Sequence, residues 1–380
     1  MTDPTTASAV VDLAAFAANL DQLRAVSAPA ELMVVVKADG YGHGMVPMAL
    51  AARQAGVSWL GVATSEEALL LRDSGDRGRL LCWLYGPAVD LTRAVAADVD
   101  LGVSSLAELA RIVAAAELVG ATARVHLKID TGLHRNGCPP DAFGQLCAAT
   151  REAVGAGAVS CVGVWTHLAV AEEPDHPSVA AQLTELDHGV RIAREAGLQP
   201  QLVHAANSAG ALGVPASRLD LVRVGIAAYG VDPAPGVAAR AQVVLQPVMT
   251  VRAQLVSVKP CAAGEGVSYG HTWTAERDTV LGLVPLGYAD GLPRVAGNRA
   301  EVVVNGRRVP LVGVVCMDQC LVDLGPGATD RVGDEVIIFG AGGPSADELG
   351  RVCDTIGYEI VTRVGPRVTR QLQPRPTGGD

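Results

Sequence analysis

Lysine is scarce in this sequence. Of its 30 basic residues only Lys37, Lys128 and Lys259 are lysines, and the others are arginines. A lysine amine can lose its proton and can form a Schiff base with a carbonyl group, whereas arginine in practice does neither. Each lysine is therefore a candidate for chemistry that only an amine performs. Lys37 also has a plainer interpretation, because a cation at a strand end can simply face solvent or pair with Asp39.

The sequence also lacks an excess of positive charge and any long apolar run. Its net charge of −10 at pH 7 speaks against a general nucleic-acid binder, because such proteins need a basic face. No segment reaches the ~18 apolar residues of a membrane span. The first ten residues, MTDPTTASAV, have neither the basic region nor the apolar core of a secretory signal. We therefore expect a cytoplasmic protein without a membrane or nucleic-acid partner.

Three short motifs are missing as well. The eight cysteines include no C-x-x-C pair, so reduced and mostly buried thiols are expected rather than zinc ligands or disulfides. No H-E-x-x-H spacing occurs, and no metal site is predicted. No G-x-G-x-x-G motif follows an early strand, which argues against a dinucleotide-binding fold.

The sequence does contain a regular alternation of short apolar runs and longer amphipathic segments. Eight strand-like runs cover residues 32–36, 58–62, 80–84, 99–103, 124–129, 161–165, 202–206 and 221–225. Runs rich in valine fit strands that are covered on both faces, as in parallel sheets. Eight βα alternations predict an α/β fold with an N-terminal (β/α)₈ TIM-like barrel. An open doubly wound sheet is the alternative.

Helices are predicted between these strands and before the first of them. The segments with helical composition are residues 65–73, 104–118 and 178–196, together with the stretch that follows Asp12. Asp12, Ser104 and Ser178 are the candidate N-caps, because a short polar side chain can accept a hydrogen bond from the first backbone amides.

The sequence changes in character after Tyr229. A turn-rich linker, VDPAPG, leads into segments in which apolar and polar residues alternate with period two. Asn305-Gly306 stands between two valine-rich runs and is a strong signal for a two-residue hairpin turn. We predict two domains, a barrel in residues 1–240 and a C-terminal mainly β domain in residues 241–380.

Polar residues follow the ends of the predicted barrel strands. They are Lys37, Tyr41, Lys128, Asp130, Arg135, Thr166, His167, Asn207, Ser208, Arg223 and Gly225. Barrels of this type place their chemistry at the C-terminal strand ends and commonly bind a phosphate after the last two strands. An anionic ligand over a reactive amine suits this set, and pyridoxal phosphate has both the aldehyde and the phosphate that it requires.

Nine motifs in order extend over nearly the whole chain. They are VVVKADGYGHG, LKIDTGLHRNG, THLA, HAANSAG, RVGIAAYG, VSYGHTW, GYADGLPR, VCMDQC and IGYEIVTRVG. Together they resemble those of the alanine racemases, fold-type III barrel enzymes that use pyridoxal phosphate. The resemblance implies interconversion of L- and D-alanine, which supplies D-alanine for peptidoglycan in bacterial cell walls.

The resemblance also implies the two catalytic residues. Lys37 would form the Schiff base with the cofactor, and Tyr269 would be the second base. Racemisation removes a proton from one face of Cα and returns one to the other, so two opposed bases are needed. Because Tyr269 lies in the second domain, it would act in the barrel of a partner subunit, which implies a homodimer with shared active sites.

Other residues are assigned by the same resemblance. Tyr41, Ser208, Gly225, Ile226 and Tyr358 match the phosphate-binding positions. His167 and Asn207 belong to the cofactor-binding set, and Arg223 would face the pyridine nitrogen. Arg135 and the backbone of Met317 match contacts to the substrate carboxylate. Lys128 matches a position that is often a carbamylated lysine, and Tyr288, Arg294 and Asp318 match the entrance corridor.

Two departures from the family pattern leave alternatives open. Asp39-Gly40 stands where many relatives have Asn-Ala, and LPR follows GYADG in place of bulkier residues. The second change is in the corridor, so serine or a broader range of amino acids remains an alternative to alanine. A fold-related decarboxylase would be expected to have a carboxylate in place of Arg223. A non-catalytic pyridoxal phosphate carrier would need only the barrel.

Overall fold

The computed structural model describes residues 7–374, so part of the amino-terminal segment that bears on a secretory signal lies outside it. In the first part of the chain, strands alternate with helices. The strands are β1 (Ala7–Asp12), β2 (Glu31–Val35), β3 (Trp59–Thr64), β4 (Arg79–Leu84), β5 (Asp100–Val103), β6 (Ala123–Lys128), β7 (Val159–Trp165), β8 (Leu202–His204) and β9 (Leu221–Val224). The helices are α1 (Leu13–Ser27), α2 (Lys37–Tyr41), α3 (Met45–Gln54), α4 (Ser65–Asp73), α5 (Thr92–Ala96), α6 (Leu106–Val119), α7 (Pro140–Gly155), α8 (Pro177–Glu195), α9 (Ser208–Gly213) and α10 (Val237–Arg240).

Strands β2 to β9 form the predicted barrel. They are all parallel and follow the order β8-β7-β6-β5-β4-β3-β2-β9. Two backbone hydrogen bonds join the end strands, from Asp220 N–H to the Val203 oxygen at 3.1 Å and from Arg223 N–H to the Ala206 oxygen at 3.0 Å. The eight strand predictions and the TIM-like fold class are confirmed, and the open doubly wound sheet is wrong.

The second part of the chain is mainly β, as predicted. Its elements are β10 (Met249–Gln254), β11 (Ser257–Cys261), β12 (Gly266–Val267), β13 (Trp273–Thr274), β14 (Thr279–Val284), β15 (Glu301–Val304), β16 (Arg307–Val312), β17 (Cys320–Asp323), β18 (Glu335–Phe339), α11 (Ala346–Val352), α12 (Gly357–Thr362) and β19 (Thr369–Gln373). Nine strands form one sheet in the order β11-β14-β17-β16-β15-β18-β10-β1-β19. The Asn305-Gly306 hairpin is confirmed, since both residues have positive φ between β15 and β16, as a primed turn requires.

The first strand of the chain belongs to this second sheet. β1 pairs with β10 in antiparallel register and with β19 in parallel register. The sequence did not predict β1, because its six residues run directly into the periodic pattern of α1. The predicted N-cap of that helix is confirmed, since the Asp12 carboxylate accepts hydrogen bonds from Ala14 N–H and Ala15 N–H at 2.8 and 2.9 Å.

Two predicted N-caps are wrong by one or two residues. Helix α6 is capped by Ser105, which accepts from Glu108 N–H, whereas Ser104 N–H itself donates to the Glu108 carboxylate. Helix α8 is capped by His176, and Ser178 donates its backbone N–H to that imidazole. The helix begins at Pro177, before the predicted cap, because the first helical position needs no N–H donor and so accepts proline.

The other absences predicted from sequence can be compared with residues 7–374. All eight cysteines lie in this range and are free thiols, and seven of them are buried. No helix in the range is both long and apolar enough to cross a membrane. No group of three histidine, cysteine or acidic side chains in the range could hold a metal ion.

Candidate active site

A cavity of about 630 Å³ opens at the C-terminal ends of the barrel strands. Its lining includes Lys37, Tyr41, Lys128, Arg135, His167, Asn207, Ser208, Arg223, Gly225, Ile226 and Tyr358. The structure therefore brings together every predicted cofactor-binding residue, and the two lysines suspected from composition share one cavity. Tyr269, Met317, Tyr288, Arg294 and Asp318 do not line it.

Lys37 begins a left-handed turn that the sequence did not predict. Ala38, Asp39 and Gly40 have φ values of 52°, 53° and 60°, although left-handed backbone normally occurs only at single residues. Gly40 N–H donates to the Val36 oxygen at 2.9 Å, and Gly42 N–H donates to the Ala38 oxygen at 3.0 Å. This tight reversal carries the chain across the cavity mouth directly after strand β2.

Side chains from neighbouring segments hold the turn. Glu67 Oε1 accepts from Ala38 N–H at 2.7 Å, and Asp39 Oδ1 accepts from Met45 N–H at 2.8 Å. Asp39 is thus engaged in starting helix α3 rather than in pairing with Lys37. Burial, followed by the positive charge of Arg135, lowers the pKa of Lys37. An amine with a lowered pKa is more often neutral at physiological pH, which suits a nucleophile or a base.

Lys128 lies deeper than Lys37. It is buried at the end of β6, with its Nζ 4.7 Å from the centre of the Trp165 ring. Burial and the positive charges of Arg223 and Arg135 lower its pKa to about 8. The cavity therefore contains two amines that are easier to deprotonate than a surface lysine.

Arg223 is fixed at the base of the cavity by four acceptors. Its Nη2 donates to the backbone oxygens of Thr166 and Ala205, each at 2.9 Å, and lies 3.3 Å from His167 Nδ1. Its Nη1 lies 3.1 Å from Nδ1 of His204. Burial, and then the Arg223 charge, lowers the pKa of His167 well below its usual value. The neutral imidazoles act as acceptors, and Arg223 remains a donor.

The cavity end near β9 presents hydroxyl and amide groups. Ser208 Oγ accepts from Gly225 N–H at 3.0 Å and from Ala227 N–H at 3.4 Å. Burial raises the pKa of Tyr41 and Tyr358, so both phenols stay protonated and can donate to an anion. A Cβ atom on Gly225 would lie 2.2 Å from the Tyr41 hydroxyl, which explains the glycine at that position.

Asn207 has a structural role that the sequence did not identify. Its Oδ1 accepts from Gly210 N–H at 2.9 Å and so caps helix α9. Ser208 is the first residue of that helix, and its side chain is placed at the cavity wall by the cap. Trp83 and Trp165 also line the cavity and were missed, because an aromatic residue in an apolar strand gives no separate signal.

Tyr269 lies far more exposed than the cavity residues. Its side chain is 72% exposed, and Met317 is 53% exposed. The preceding residue, Ser268, has a φ of 62° and donates its hydroxyl to the Val314 oxygen at 2.7 Å. The Ser268 hydroxyl also lies 3.6 Å from Cys316 Sγ. The Tyr269 turn and the Met317 loop are thus tied together on the second sheet, outside the cavity of their own chain.

The three predicted corridor residues also lie on the second part of the chain. Tyr288 N–H donates to the Cys316 oxygen at 3.0 Å, which places Tyr288 beside the Met317 loop. Asp318 accepts from Arg367 at 2.7 Å, and Arg294 starts a short 3₁₀ turn that ends at Ala296. Arg367 was not predicted, and its ion pairs with Asp318 and Asp290 hold this surface together.

Comparisons with known proteins agree with this geometry. Residues 11–233 match the profile of the alanine racemase N-terminal domain, and residues 248–372 match that of the C-terminal domain. The chain is 48% identical over 367 residues to an alanine racemase from Beutenbergia cavernae, covering 96% of this chain and 97% of that protein. An alanine racemase from Thermobifida fusca is 47% identical with the same coverage.

The chain belongs to the alanine racemase family. The fold agrees with solved alanine racemases, including one from Streptomyces lavendulae with a TM-score of 0.95, 46% identity and 98% coverage of both chains. One from Bacillus anthracis, solved with bound L-Ala-P, has a TM-score of 0.88 and 30% identity, with 99% of this chain and 97% of that chain covered. Alanine racemases are pyridoxal phosphate-dependent isomerases that interconvert L- and D-alanine, so the predicted family, reaction and cofactor are confirmed.

The residues in the cavity fit pyridoxal phosphate. The half-buried Lys37 amine has a lowered pKa, which suits condensation with an aldehyde. Protonated phenols, the Ser208 hydroxyl and the glycine-containing turn at Gly225 suit a phosphate. Arg223 offers a donor that is held in place by several acceptors. The donor set therefore matches the reactive groups of the cofactor at both ends.

Proposed function

We propose that this chain racemises alanine with Lys37 and Tyr269 of the partner subunit as two opposed bases. The observation that carries the proposal is the meeting in one cavity of a half-buried amine of lowered pKa and a set of hydroxyl and amide groups suited to a phosphate. Tyr269 is exposed on its own chain and is thus free to enter another cavity.

Lys37, Tyr41, Ser208, Gly225, Ile226 and Tyr358 would hold the cofactor, with support from His167, Asn207 and Arg223. Pyridoxal phosphate supplies an aldehyde for amines and an electron sink that acidifies the Cα–H bond of the substrate. Because burial lowers the pKa of the Lys37 amine, Nζ can accept the Cα proton from one face of the substrate while the phenol of Tyr269 of the partner subunit donates a proton to the opposite face. In the reverse direction Tyr269 of the partner subunit accepts the proton through its phenolic oxygen and Lys37 donates one.

Arg223 limits the reaction to proton exchange. A guanidinium donates hydrogen bonds and keeps its protons under all ordinary conditions. With the cofactor bound, Arg223 would donate a hydrogen bond to the pyridine nitrogen without protonating it, which would weaken the electron sink. A carboxylate there, as expected in a decarboxylase, would favour other outcomes. The presence of arginine therefore supports racemisation over decarboxylation.

The substrate carboxylate would contact Arg135 and the backbone of Met317 of the partner subunit. A carbamate on Lys128 would orient Arg135, and the pKa of about 8 for this amine favours the neutral form that reacts with carbon dioxide. Tyr288, Arg294 and Asp318 would form the entrance corridor. Alanine is the proposed substrate, and the LPR sequence in the corridor makes serine the second amino acid to test.

We also propose that the two parts of the chain have different functions. The barrel of residues 1–240 binds the cofactor, and the mainly β unit of residues 241–380 brings the second base to a partner. The active enzyme is then a homodimer with shared active sites. It works in the cytoplasm and supplies D-alanine for peptidoglycan.

Incubation of the purified protein with L-alanine in deuterated water tests the reaction. Deuterium should enter at Cα while optical rotation decays to zero. Release of carbon dioxide would indicate a decarboxylase, and bound cofactor without exchange would indicate a carrier. L-serine in a parallel sample measures the breadth of the substrate range.

Mass mapping after borohydride reduction tests which lysine binds the cofactor covalently. The reduced cofactor should be attached to the peptide that contains Lys37 and should be absent from Lys37→Ala. Lys128→Ala is the matched control, because it removes the other amine of the same cavity and should leave the adduct in place. An adduct on Lys128 in the unmodified protein would reverse the assignment.

A further inference from the structure

A line of buried polar side chains crosses the interior of the barrel beneath the cavity. His204 Nδ1 lies 3.1 Å from Arg223 Nη1, and His204 Nε2 lies 3.0 Å from His126 Nδ1. His126 Nε2 lies 3.1 Å from Asp100 Oδ2. Arg223 is 5% exposed and the other three side chains are 0% exposed. Their hydrogen bonds therefore form without competition from bulk water.

The chemistry of the two end groups fixes every proton in this line. Arginine can only donate, and an ionised carboxylate can only accept. Each histidine between them must accept at one ring nitrogen and donate at the other. His204 therefore accepts from Arg223 at Nδ1 and donates from Nε2 to His126. His126 in turn accepts at Nδ1 and donates from Nε2 to Asp100.

The barrel is shaped to make room for this line. His126 on β6 reaches His204 on β8 past the intervening strand β7, which carries glycine at position 163. A Cβ atom there would lie 2.6 Å from His126 Nδ1. The pairing of β6 with β7 also shifts register between Val125 and His126, an irregularity that can redirect a side chain. The Trp165 ring stacks on His204 at an interplanar angle of 9°.

The charges along the line suit the same proton arrangement. Burial alone would raise the pKa of Asp100, but the hydrogen bond from His126 and the charges of Arg79 and Arg124 bring it to about 2. Burial lowers the pKa of His126 and, with the Arg223 charge, lowers that of His204 well below its usual value. Asp100 is thus ionised and both imidazoles are neutral at working pH.

We propose that Asp100, His126 and His204 are positioning residues that hold Arg223 against the pyridine ring of the cofactor. The carboxylate polarises His126, which polarises His204 and makes its Nδ1 a stronger and better-oriented acceptor for Arg223. The proposal rests on the proposed role of Arg223. Without the line, Arg223 keeps its carbonyl contacts but loses the acceptor that aligns Nη1.

The tautomers of the holoenzyme give a direct test. In protein labelled with ¹⁵N-histidine, long-range proton–nitrogen NMR should show that His126 and His204 are protonated at Nε2 and unprotonated at Nδ1 from pH 5 to 9. A proton on Nδ1 of either ring, or titration of either ring in this range, would overturn the proposal. This measurement needs no variant, so it stands even if a substitution prevents folding.

Variants then test the effect on Arg223. His126→Phe interrupts the line, whereas Asp100→Asn keeps an acceptor and removes the charge. With cofactor labelled at the ring nitrogen, the ¹⁵N signal should move toward the protonated position, more in His126→Phe than in Asp100→Asn. For His126→Phe, kcat should fall on the order of tenfold in both directions, with a smaller change in KM. An unmoved ring signal in His126→Phe would contradict the proposal.

Asp76→Asn is the matched control. Asp76 is a buried aspartate between two arginines, Arg53 and Arg72, but it lies outside the line. It should lose thermal stability and keep the ring-nitrogen signal and the kcat of the unmodified enzyme. If the unmodified enzyme already shows a protonated ring nitrogen, the proposed role of Arg223 fails. The histidine tautomers would still be judged separately.

Discussion

At the scale of single residues, close contacts decide how the cavity holds its ligand. Gly225 is the sharpest case, because its backbone lies against the Tyr41 side chain and any Cβ atom would meet the Tyr41 hydroxyl. Ser208 is placed by the Asn207 cap and accepts from Gly225 N–H. A serine, a tyrosine and a glycine that are distant in sequence thereby form one surface.

Gly225→Ala should weaken cofactor binding. The added methyl group would lie 2.2 Å from the Tyr41 hydroxyl, so Tyr41 must move away from the proposed phosphate-binding end of the cavity. Overpacking of this kind typically lowers affinity about tenfold or more. Absorbance titration of the cofactor-free protein measures the dissociation constant. Gly86→Ala is the control, since its nearest neighbour would be 3.9 Å away, and equal affinities for the two variants would contradict the interpretation.

Tyr269→Phe should slow the exchange of the Cα proton with solvent unequally for the two enantiomers. As the proposed base on one face, Tyr269 would remove the proton of L-alanine, whereas Lys37 would remove that of D-alanine. General-base catalysis contributes roughly 10²–10⁴-fold, so exchange of the L-enantiomer's Cα proton with solvent should fall by about that factor. Exchange from D-alanine is the internal control. Equal losses of Cα proton exchange from L-alanine and D-alanine would argue against two bases on opposite faces.

At the scale of elements, the left-handed turn α2 is the unusual feature of the barrel. Consecutive residues with positive φ cost roughly 1–2 kcal/mol each unless they are glycine. Here Ala38 and Asp39 are held by hydrogen bonds to Glu67 and Met45. The turn places Lys37 and Tyr41 at the cavity, so local strain is maintained where the chemistry is proposed.

Ala38→Gly should therefore stabilise the protein. Glycine adopts positive φ without a steric cost, and the gain is partly offset by the greater freedom of glycine in the unfolded chain. We expect the free energy of unfolding to rise by up to about 1 kcal/mol in urea denaturation of the holoenzyme. Ala114→Gly, at an exposed position of the right-handed helix α6, should instead lower it by about 1 kcal/mol. A loss in both variants would show that φ at residue 38 carries no strain.

At the scale of the whole molecule, the residues for one reaction lie on two parts of the chain. Apart from Tyr358, the cavity is lined by residues of the barrel, and Tyr269 and Met317 are exposed on the second sheet. The proposed completion of the site by a second copy would account for the exposure of these two side chains. The site would then be incomplete in a single chain.

Dilution should lower the specific activity for this reason. As the concentration falls below the dissociation constant of the proposed dimer, each barrel would lose the Tyr269 that the partner supplies. Activity should follow the dimer fraction measured by sedimentation at the same concentrations. Mixing Lys37→Ala with Tyr269→Phe should restore activity through one intact site per mixed dimer, and failure to do so would contradict shared sites.

Buried neutral histidines should make the whole fold sensitive to mild acid. Burial lowers the pKa of His43 to about 4 and also lowers the pKa of His126 and His204. Below about pH 6.5, the unfolded chain therefore binds protons that the folded chain excludes. The histidine contribution to stability is fully present above that pH and is lost below it, by up to about 1.4 kcal/mol per pH unit for each histidine.

Urea denaturation at pH 7 and pH 5 measures this loss. Asp100, with a pKa of about 2, loses its contribution only as the pH falls below the ordinary aspartate range, so the histidines account for the window between pH 5 and 6.5. His126→Phe should reduce the slope there, because one excluded proton is gone. A free energy of unfolding that is constant from pH 7 to pH 5 would contradict this account.

Local sequence patterns were sufficient for the barrel and for much of the cavity. All eight barrel strands follow from apolar runs, because strands buried on both faces must be apolar along their length. Because the chemistry of such barrels lies at the C-terminal strand ends, one site was predicted that contains Lys37, Lys128, Arg135, His167 and Arg223. The Asn305-Gly306 hairpin followed from two residues whose backbone preferences select the turn.

Tertiary structure alone decided which distant groups meet. β1 joins a sheet formed otherwise by strands from the second part of the chain, and no local pattern in six residues specifies a partner so far away. The line from Asp100 to Arg223 passes from β6 to β8 across Gly163, and each residue looks like an ordinary core residue by itself. The sequence by itself determined the eight barrel strands and the two candidate amines. The order of the strands decided what those amines face, because contacts between strands depend on closure of the barrel and not on neighbours in the chain.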